Sequence, residues 1–562
     1  MSESDRTPAA EPDVCIVGSG PAGSLIAYKL AEHGHDVVVL EAGETFEFAT
    51  RTERMERALR PTHHRTTVWD LDQARDAYTV SGPVSYPANR LRAKGVGGST
   101  LHWGGRVARF TEKDFEMQTR YGYGRDWPVD YEDIRPYYAA AEAAFGVAGA
   151  EDNPFGPPRE QEYPMDAFPR SHSDSLFAEA CSTLDIEVHS VPNARNSESY
   201  DGRSQCVGYG TCSPVCPSGA KYDASVHAKK AIEQGATLID RAVVQRLEHD
   251  ASGDRITGAV YETPDGTTYT QSADEFVLAA GGIENPRLLL LSESPQHPEG
   301  LANSSGAVGK YLMEHPYVGV AGRLDRKTAQ NRIGFGTMES YQFYEPGTVG
   351  PGSFKIEFSN QGGPKPVELA LKQREPLVNL QKTAQNIGID PLVELGKDTE
   401  PIVWGDELRD LIADATGDRF TVVAEIEVLP NERNQVTLDT SETDAFGNPV
   451  PNIEWGHFTD YAEETMDAAK DILGNIVDEL PGTVRDREVF ELRQGAGHSA
   501  GTTRMGTDPS ASVVDENLRA HDVENLSIAG SSPFVTMGAS QPTLTIGATS
   551  LRLAEYLHDS VL

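Results

Sequence analysis

A glycine-rich turn near the N-terminus constrains the fold more than any other feature of the chain. The turn occupies residues 18–23, with the sequence Gly-Ser-Gly-Pro-Ala-Gly, between an apolar run at 13–18 and an amphipathic segment at 24–33. A second apolar run, 36–40, ends at Glu41. These patterns predict a strand, a helix and a second strand, which form a Rossmann-like unit. In such a unit the glycines permit a tight turn, close approach of a pyrophosphate and helix–strand packing, and the acidic residue accepts from a ribose hydroxyl. We therefore predict a dinucleotide site with contacts from Gly18, Gly20, Gly23 and Glu41.

Further glycine-rich segments predict where the rest of the cofactor is held. Residues 92–105 read Arg-Ala-Lys-Gly-Val-Gly-Gly-Ser-Thr-Leu-His-Trp-Gly-Gly, and residues 275–290 predict a strand, a glycine turn and a helix. Glycines at this density let a backbone lie flat against a planar ring or a phosphate. The Glu-Ala-Gly sequence at 41–43 favours tightly bound FAD over a diffusing nicotinamide cofactor. The further predicted contacts are Ala42, Gly97, Gly98, Ser99, His102, Val244, Ala280, Gly281, Gly530 and Thr543.

The length of the chain and the distribution of these motifs predict an α/β protein with two associated domains. The predicted FAD-binding domain is Rossmann-like and comprises 13–315 and 491–562, with an insertion at 150–222 that carries most of the cysteines. Residues 316–490 contain β-rich segments without dinucleotide-type glycine motifs, which predicts an interleaved α+β substrate domain built on an antiparallel sheet. Residues 1–12 are polar and predict a disordered leader.

Three of the five cysteines lie within eleven residues, as Cys206-x5-Cys212-x3-Cys216-Pro in a loop rich in glycine and proline. Soft thiolates at this spacing suit an iron–sulfur cluster or zinc. A structural zinc site requires four ligands, and the nearest histidines are His189, seventeen residues upstream, and His227, eleven residues downstream. A disulfide would leave one thiol over. The sequence favours a cluster with three cysteine ligands, and the alternatives are a disulfide, free thiols or another metal.

The charge of the chain bears on its setting and its partners. Acidic residues outnumber basic ones by 86 to 49, for a formal net charge of −37. Such a surface is tolerable in concentrated salt, where the Debye length shrinks to a few ångströms, so the composition favours a halophilic protein over an ordinary acidic enzyme. It disfavours nucleic acid and anionic membranes as partners. With no apolar run near the roughly 20 residues that span a bilayer and no signal sequence, we expect a cytoplasmic protein without direct membrane insertion. The alternative is membrane association or export through a partner subunit.

The sequence resembles the glucose–methanol–choline (GMC) oxidoreductases over nearly its whole length. The N-terminal glycine unit matches the FAD fingerprint of that family. Lys94-Gly-Val-Gly-Gly-Ser-Thr resembles its first signature, and Ala280-Gly-Gly-Ile-Glu-Asn-Pro-Arg-Leu-Leu resembles its second. Residues 308–316 resemble its Gly-x-x-Leu-x-Asp-His-Pro element, with Glu314 in place of Asp, and His498-Ser-Ala-Gly-Thr matches the segment that carries the active-site histidine. The resemblance implies FAD-dependent oxidation of an alcohol.

The cysteine loop resembles one branch of this family, the catalytic subunits of bacterial FAD-dependent glucose, gluconate and fructose dehydrogenases. That branch carries a 3Fe–4S cluster, whereas the sugar oxidases of the same fold lack these cysteines. The resemblance implies Cys206, Cys212 and Cys216 as cluster ligands, and a small subunit with a cytochrome or quinone-linked acceptor as partner. Residues 529–545 follow the same branch, except that Gln541 stands where family members usually have Asn or His.

The chemistry requires a base that takes the hydroxyl proton while hydride leaves carbon for flavin N5. Histidine suits this role near neutral pH, and His498, just before a Gly-Thr turn, is the predicted base. Gln541 is predicted to hydrogen-bond the substrate hydroxyl or the flavin. His102 lies where some related sugar oxidases attach flavin covalently, and the alternatives there are a covalent bond and packing against the isoalloxazine ring. Asn285 and His315 are predicted to be structural.

The predicted function is oxidation of an alcohol group of a sugar, sugar acid or polyol, with electrons leaving through the cluster to a partner acceptor. The alternative is an oxygen-using oxidase of the same family with structural cysteines. A lyase with a structural flavin would have no use for a cluster, and a non-catalytic binding module would need neither the base nor the flavin contacts. Residues 316–490 shape the pocket but do not identify the substrate.

Overall fold

The computed structural model describes residues 6–59, 68–329, 333–359, 366–372 and 403–562. Its strands in chain order are β1 (Val14–Val17), β2 (Val37–Leu40), β3 (Thr79–Ser81), β4 (Ala148–Gly149), β5 (Met165–Asp166), β6 (His189–Ser190), β7 (Thr237–Ile239), β8 (Val243–His249), β9 (Ile256–Glu262), β10 (Thr268–Gln271), β11 (Glu275–Leu278), β12 (Tyr317–Leu324), β13 (Met338–Ser340), β14 (Phe354–Phe358), β15 (Arg419–Ile426), β16 (Gln435–Thr443), β17 (Pro449–Glu454), β18 (Val484–Leu492) and β19 (Leu526–Ile528). Its α-helices are α1 (Pro21–Glu32), α2 (Arg51–Ala58), α3 (Ala88–Leu91), α4 (Glu112–Phe115), α5 (Met117–Tyr121), α6 (Tyr131–Phe145), α7 (His172–Thr183), α8 (Ser225–Glu233), α9 (Gly281–Leu291), α10 (Pro366–Lys372), α11 (Asp406–Ala415), α12 (Asp460–Asp478) and α13 (Thr543–Ser560).

Five of the described strands form a parallel sheet in the order β19-β11-β1-β2-β7. β1 reads Val-Cys-Ile-Val and β2 reads Val-Val-Val-Leu, and every one of these residues is buried. Continuous apolar runs of this kind are expected where helices cover a parallel sheet, and α1 packs against α8 and α13. The predicted strand–helix–strand unit is therefore confirmed. The helix begins at Pro21 rather than at residue 24, because proline is favoured at the first helical position.

A second, antiparallel sheet supports the other half of the molecule, with the strand order β18-β12-β15-β14-β13-β6. Most of its strands come from residues 317–492, between α9 and β19, and α12 packs against β12 and β15. The apolar residues of this sheet and of α12 form a hydrophobic core separate from that of the parallel sheet. A Rossmann-like domain with an interleaved antiparallel substrate domain is therefore confirmed as the fold.

Two strand pairings join the predicted domains. β6, from the insertion at 150–222, pairs with β13 at the edge of the antiparallel sheet. β17, from the predicted substrate domain, pairs in parallel with β3, and β16 pairs antiparallel with β17. The two halves therefore share sheet edges as well as a covalent connection.

Residues 6–12 differ from the disordered leader that the sequence predicts. The guanidinium group of Arg6 pairs with Asp240 at 3.0 Å, and the Arg6 carbonyl accepts from the Tyr261 hydroxyl at 2.6 Å. The Ala9 backbone exchanges two hydrogen bonds, of 2.7 and 3.0 Å, with the buried carboxamide of Gln271. The prediction is wrong for these residues because buried polar groups of the sheet take the leader backbone as their partner. Residues 1–5 lie outside the described residues.

Helices α12 and α13 have 19 and 18 residues, and both bury an apolar face against the body of the molecule. Among the helices of the described ranges, none combines the length and the apolar character needed to cross a membrane.

Candidate active site

One carboxylate holds the glycine turn between β1 and α1 against a second loop. Glu41 is 5% exposed and accepts from Ser19 N at 2.9 Å, Ser19 Oγ at 2.7 Å, Gly43 N at 2.9 Å and Gly95 N at 3.0 Å. Gly97 N donates in turn to Ser19 O at 3.1 Å. The predicted contacts Glu41 and Gly97 therefore meet around Ser19, at the carboxyl end of β1.

Two glycines of the turn are required by close backbone approach. A Cβ on Gly23 would lie 2.0 Å from Gly18 O, so only glycine lets α1 approach β1 this closely. Gly18 has φ +101°, and a Cβ there would lie 2.7 Å from Ala279 O. These are the turn and packing roles that the glycine motif predicts.

Three other predicted contact glycines face open space. A Cβ built on Gly20, Gly281 or Gly530 would meet no atom within 4 Å, although Gly530 is buried. Gly98 lies beside this space, since its Cβ would come within 2.9 Å of Gly20 Cα. Bare backbone beside open space is what a dinucleotide requires, because its phosphates must approach the amide groups closely. The residues present therefore fit FAD.

The loops around this space are joined by Asn285, which is fully buried. Its Oδ1 accepts from Ala280 N at 2.8 Å, and its Nδ2 donates to Ala529 O at 3.2 Å and to Ser532 Oγ at 2.9 Å. Asn285 therefore ties the turn before α9 to the turn after β19, a structural role.

The remaining predicted cofactor contacts lie on neighbouring segments. Ala42 lies between Glu41 and Gly43. The carbonyl oxygens of Glu41 and Gly43 accept from the backbone amides of residues 242 and 241 at 2.8 and 2.9 Å, and Val244 follows closely in β8. Ser99 lies in a 3-10 helix, Gly98–Leu101, which His102 caps, and Thr543 begins α13. Contact of these residues with FAD stays a prediction.

The loop that carries His498 is anchored by a buried carboxylate. Glu314 is fully buried and accepts from the backbone amides of Ala496 at 3.3 Å, Gly497 at 3.0 Å and His498 at 2.6 Å. The Tyr86 hydroxyl donates to the same carboxylate at 2.9 Å. A carboxylate that accepts from successive amides restrains the loop through charge-assisted hydrogen bonds. Glu314 therefore sets the position of His498.

His498 lies against a second histidine and a buried glutamate. Its Nδ1 is 2.9 Å from His315 Nδ1 and 3.0 Å from Glu425 Oε1, and His315 Nδ1 is 2.8 Å from the same oxygen. His315 Nε2 lies 2.9 Å from Gly538 O, and a carbonyl can only accept, so His315 donates there. Both Nδ1 atoms also face Glu425 Oε1, which accepts when ionised, so a proton on His498 Nδ1 is directed to this carboxylate. This tautomer leaves Nε2 of His498 unprotonated, as a general base requires.

Glu425 belongs to a buried charge cluster with Lys355, which is fully buried in β14. Lys355 Nζ lies 2.6 Å from Glu357 Oε1, 3.2 Å from Glu425 Oε2 and 3.5 Å from Glu339 Oε2. Burial opposes ionisation of Glu425, but the charge of Lys355 and the contacts with both histidines outweigh it and hold the pKa of Glu425 well below its ordinary value. The carboxylate beside His498 is therefore ionised.

Gln541 is held by this cluster. Its Nε2 donates to Glu357 Oε1 and to Glu425 Oε2, both at 2.8 Å, and the residue is 8% exposed. Arg106 pairs with the other oxygen of Glu357. The three carboxylates of the cluster exceed its two cations by one negative charge, next to the ring that must accept a proton. Because Nε2 of Gln541 already donates to two carboxylates, Oε1 is the atom left for the predicted contact with substrate or flavin. That contact stays a prediction.

The three clustered cysteines are free thiols, as are Cys15 and Cys181. Cys212 and Cys216 are 6% exposed and Cys206 is half-buried. Their sulfur atoms do not all lie within 4.8 Å of one another. Two thiolates on one zinc ion lie at most about 4.6 Å apart, twice the Zn–S bond length. This spacing is unsuitable for one ion bound by all three residues.

The cysteine loop packs directly on the segment predicted to contact flavin. Ser213 Oγ donates to His102 O at 2.9 Å. Lys221 Nζ donates to Trp103 O at 2.7 Å and to Cys212 O at 2.9 Å. The predicted cluster and the predicted flavin contacts are therefore neighbours, separated by a few covalent and hydrogen bonds.

The electrostatic surroundings of the thiols differ. Burial opposes ionisation of Cys216, but hydrogen bonds from Lys221 N at 3.4 Å and Ser218 Oγ at 3.6 Å outweigh it and lower the pKa of this thiol. Burial raises the pKa of Cys206. Cys216 is therefore the more readily ionised of the two, and thiolates are the form that binds iron.

A cavity of about 190 Å³ lies beside the buried charge cluster. Glu339 and Tyr341 of β13 line it together with Arg109 and Arg159. None of the predicted site residues does so. Because Glu339 also contacts Lys355, the cavity borders the cluster from the side of the antiparallel sheet.

Sequence reasoning missed Glu425 and Lys355, and it treated His315 as structural. The run Phe354-Lys-Ile-Glu-Phe358 alternates charged and apolar residues, which predicts a strand with one solvent face. All five residues are buried, because the charged face packs against Glu425, Gln541 and Arg106 and not against solvent. The one available signal was the Glu-His-Pro element, which marked Glu314 and His315 without assigning them a role.

Comparison with known proteins relates the chain to one family. Models of the GMC oxidoreductases match residues 77–317 and 430–550, and a model of the NAD(P)-binding Rossmann-like domain matches residues 16–73. The chain is 33% identical to the fructose dehydrogenase large subunit of Gluconobacter japonicus over 97% of each chain. It is 31% identical to 2-methyl-1,2-propanediol dehydrogenase of Mycolicibacterium austroafricanum over 98% of this chain and 96% of that protein. The gluconate 2-dehydrogenase flavoprotein of Pantoea cypripedii is 24% identical over 98% and 94%.

Solved structures share the fold. Pyridoxine 4-oxidase from Mesorbium loti superposes with a TM-score of 0.64 at 20% identity, covering 98% of this chain and 99% of the other. A formate oxidase variant from Aspergillus oryzae superposes with the same TM-score at 17% identity, covering 99% of each chain.

The Rossmann-like sheet, the glycine-lined space and the histidine site together define an FAD-dependent oxidoreductase that acts on CH–OH groups. The similarity to relatives over its whole length assigns it further: the chain belongs to the GMC oxidoreductases.

Proposed function

We propose that this enzyme is a dehydrogenase that oxidises an alcohol group of a sugar, sugar acid or polyol and exports the electrons through a 3Fe–4S cluster bound by Cys206, Cys212 and Cys216. The observation that carries the proposal is the direct packing of the cysteine loop on the flavin segment, through Ser213 and His102. Free thiols in that position would have no evident function, whereas a cluster there would lie on the path by which electrons leave the flavin.

The residues of the chain supply the proton chemistry. FAD, when bound, supplies a hydride acceptor at N5, and the cluster supplies one-electron transfer. The alcohol carbon loses a hydride and its hydroxyl loses a proton to His498 Nε2, which leaves a carbonyl product. The imidazolium charge is stabilised by Glu425, whose Oε1 lies 3.0 Å from His498 Nδ1. The two electrons leave in two single-electron steps to an acceptor such as a cytochrome haem or a quinone-linked subunit.

The acceptor is a partner protein in this proposal, with a small subunit as a further component. Val207 and Tyr209, between the first two cysteines, are 70% and 57% exposed. Exposed apolar side chains on the loop that binds the cluster provide a contact surface for an electron acceptor. We propose localisation in the cytoplasm, or at a membrane through such a partner.

Metal analysis after anaerobic purification tests the proposal. We expect about three iron atoms per FAD, with acid-labile sulfide, and loss of both in the C212S variant. C181S is the matched control, because Cys181 is also buried but lies in the hydrophobic core of the antiparallel sheet. The C181S variant should retain iron.

Activity distinguishes the dehydrogenase from the oxidase. D-fructose, D-gluconate and 2-methyl-1,2-propanediol, the compounds for which the relatives are named, should be screened with an artificial dye acceptor at low and high salt. We expect dye-dependent turnover without oxygen. An iron-free flavoprotein that turns over with oxygen alone would overturn the dehydrogenase in favour of a GMC oxidase with structural cysteines.

A further inference from the structure

Two buried cations flank the cysteine loop. Lys221 is 1% exposed and Arg195 is fully buried. Lys221 Nζ donates to the carbonyl oxygens of Leu101, Trp103 and Cys212 at 2.7–3.2 Å. Arg195 donates to Gly104 O at 2.9 Å and to the side-chain oxygen of its neighbour Asn193 at 2.7 Å. All of these partners are neutral.

Neither cation has a carboxylate partner among the described residues. Asp223 is close enough to Lys221 to influence its pKa, but its carboxylate pairs with Arg51 at 2.7 Å. Elsewhere in the core the buried cations Lys113, Lys355 and Arg109 contact carboxylates, whereas Arg504 lies over the Tyr311 ring at 3.6 Å. The Arg195 guanidinium lies 3.9 Å from the centre of the Phe335 ring, which offsets part of the cost of its burial. A buried cation without a countercharge is costly, so the lack of one at both residues, and above all at Lys221, indicates a missing anion.

The cysteines are where that anion would lie. Lys221 donates its backbone amide to Cys216 Sγ at 3.4 Å while its ammonium group reaches the Cys212 carbonyl. Arg195 directly precedes Asn196, whose carbonyl oxygen accepts from Cys206 N at 2.9 Å. A cluster held by three thiolates is anionic and becomes more so on reduction, so it matches two cations that approach the loop from inside the protein.

We infer that Lys221 and Arg195 are the countercharges of the cluster and that they raise its reduction potential, which makes it a competent acceptor for electrons from the flavin. This inference rests on the proposed function. Reduction adds one negative charge to the cluster, and a nearby buried cation stabilises the reduced state more than the oxidised state. Lys221 also binds the carbonyl oxygens on both sides of His102, so its charge lies between the cluster and the flavin segment.

Potentiometry on the holoenzyme tests the inference without reference to turnover. The K221Q variant retains a hydrogen-bond donor for the three carbonyl oxygens but loses the charge. K229Q is the control, because it removes the same charge from α8, eight residues further along, where the side chain of Lys229 is 78% exposed. The cluster is titrated anaerobically with dithionite and followed by electron paramagnetic resonance.

We expect K221Q to lower the equilibrium constant for cluster reduction at least tenfold, a fall of about 59 mV for a one-electron couple. K229Q should leave the potential unchanged. R195Q provides the same test at the second cation, so failure of one variant to fold leaves the other measurable.

The outcomes separate the inference from the function on which it rests. Unchanged potentials in iron-loaded K221Q and R195Q would overturn the role of the cations while leaving the cluster in place. If neither variant loads iron, the cations serve assembly and the inference about potential is also overturned. Absence of iron from the wild-type protein would instead overturn the proposed function itself.

Discussion

The negative charge of Glu425 should stabilise His498 when this histidine accepts the proton of the substrate, and removing the charge tests that role. In the E425Q variant the residue keeps its size and one carbonyl oxygen but loses its negative charge. At an effective dielectric constant of about 20, opposite charges 3.0 Å apart attract by about 5.5 kcal/mol. If roughly half of the imidazolium charge has developed in the transition state, the barrier rises by about 2.7 kcal/mol, so hydride transfer to flavin slows about 100-fold.

Anaerobic stopped-flow bleaching of the flavin measures this step directly, with the substrate that the acceptor screen identifies. E427Q is the control, since Glu427 is equally buried two residues further along but bonds Tyr461 and not the histidines. The reasoning fails if E425Q reduces flavin at the wild-type rate, or if E427Q slows the step as much.

Three further predictions follow from other parts of the structure. H498A should lower kcat by about 10²–10⁴ with an unchanged FAD absorbance spectrum, and near-normal turnover would remove His498 as the base. Burial opposes ionisation of Asp76, but Lys94 and Arg75 outweigh it and lower the pKa of Asp76 to about 2. An ionised Asp76 with a depressed pKa stabilises the folded protein at pH values above about 3.9, the pKa of Asp in the unfolded chain. Urea titrations should therefore find D76N less stable than the wild type by about 2 kcal/mol above pH 4, and this difference in stability should shrink towards pH 2. A difference in stability that does not change with pH would contradict this assignment. V207S should raise the KM for cytochrome c several-fold without affecting dye reduction. The control V489S, at a valine 53% exposed on β18, should change neither the KM for cytochrome c nor dye reduction. Equal effects of the two variants would argue against docking of the acceptor at the cysteine loop.

The dinucleotide fold was predictable because its signals are local. A glycine turn, an apolar run on each side and Glu41 lie within about thirty residues, and β1, α1 and β2 follow them closely. The spacing of Cys206, Cys212 and Cys216 was local in the same way. Such patterns can be recognised in the sequence because the residues that act together are close neighbours in the chain.

The active site was only partly predictable because its contacts are distant in sequence. His498, His315 and Glu425 come from three separate segments and meet because β12 pairs with β15 on one side and with β18 on the other. The charged residues of β14 and β15 resemble those of a solvent face, and only the fold reveals that they are buried. The sequence marked Gln541 as a departure from the family pattern, but its amide nitrogen bonds two carboxylates that no local pattern could place beside it.

The order of the parallel sheet also governs when the protein can fold during synthesis. β1 pairs with β11, and β11 pairs with β19, which the ribosome makes about 500 residues after β1. At a synthesis rate of roughly 5–20 residues per second, β19 is made at least about 25 s after β1. Until β19 is made, the edge of β11 that pairs with it is apolar and free. Helix α13, which packs on α1, arrives later still. The parallel sheet is therefore completed only after β19 is made, so the edge of β11 depends on protection from aggregation while about 250 further residues are synthesised.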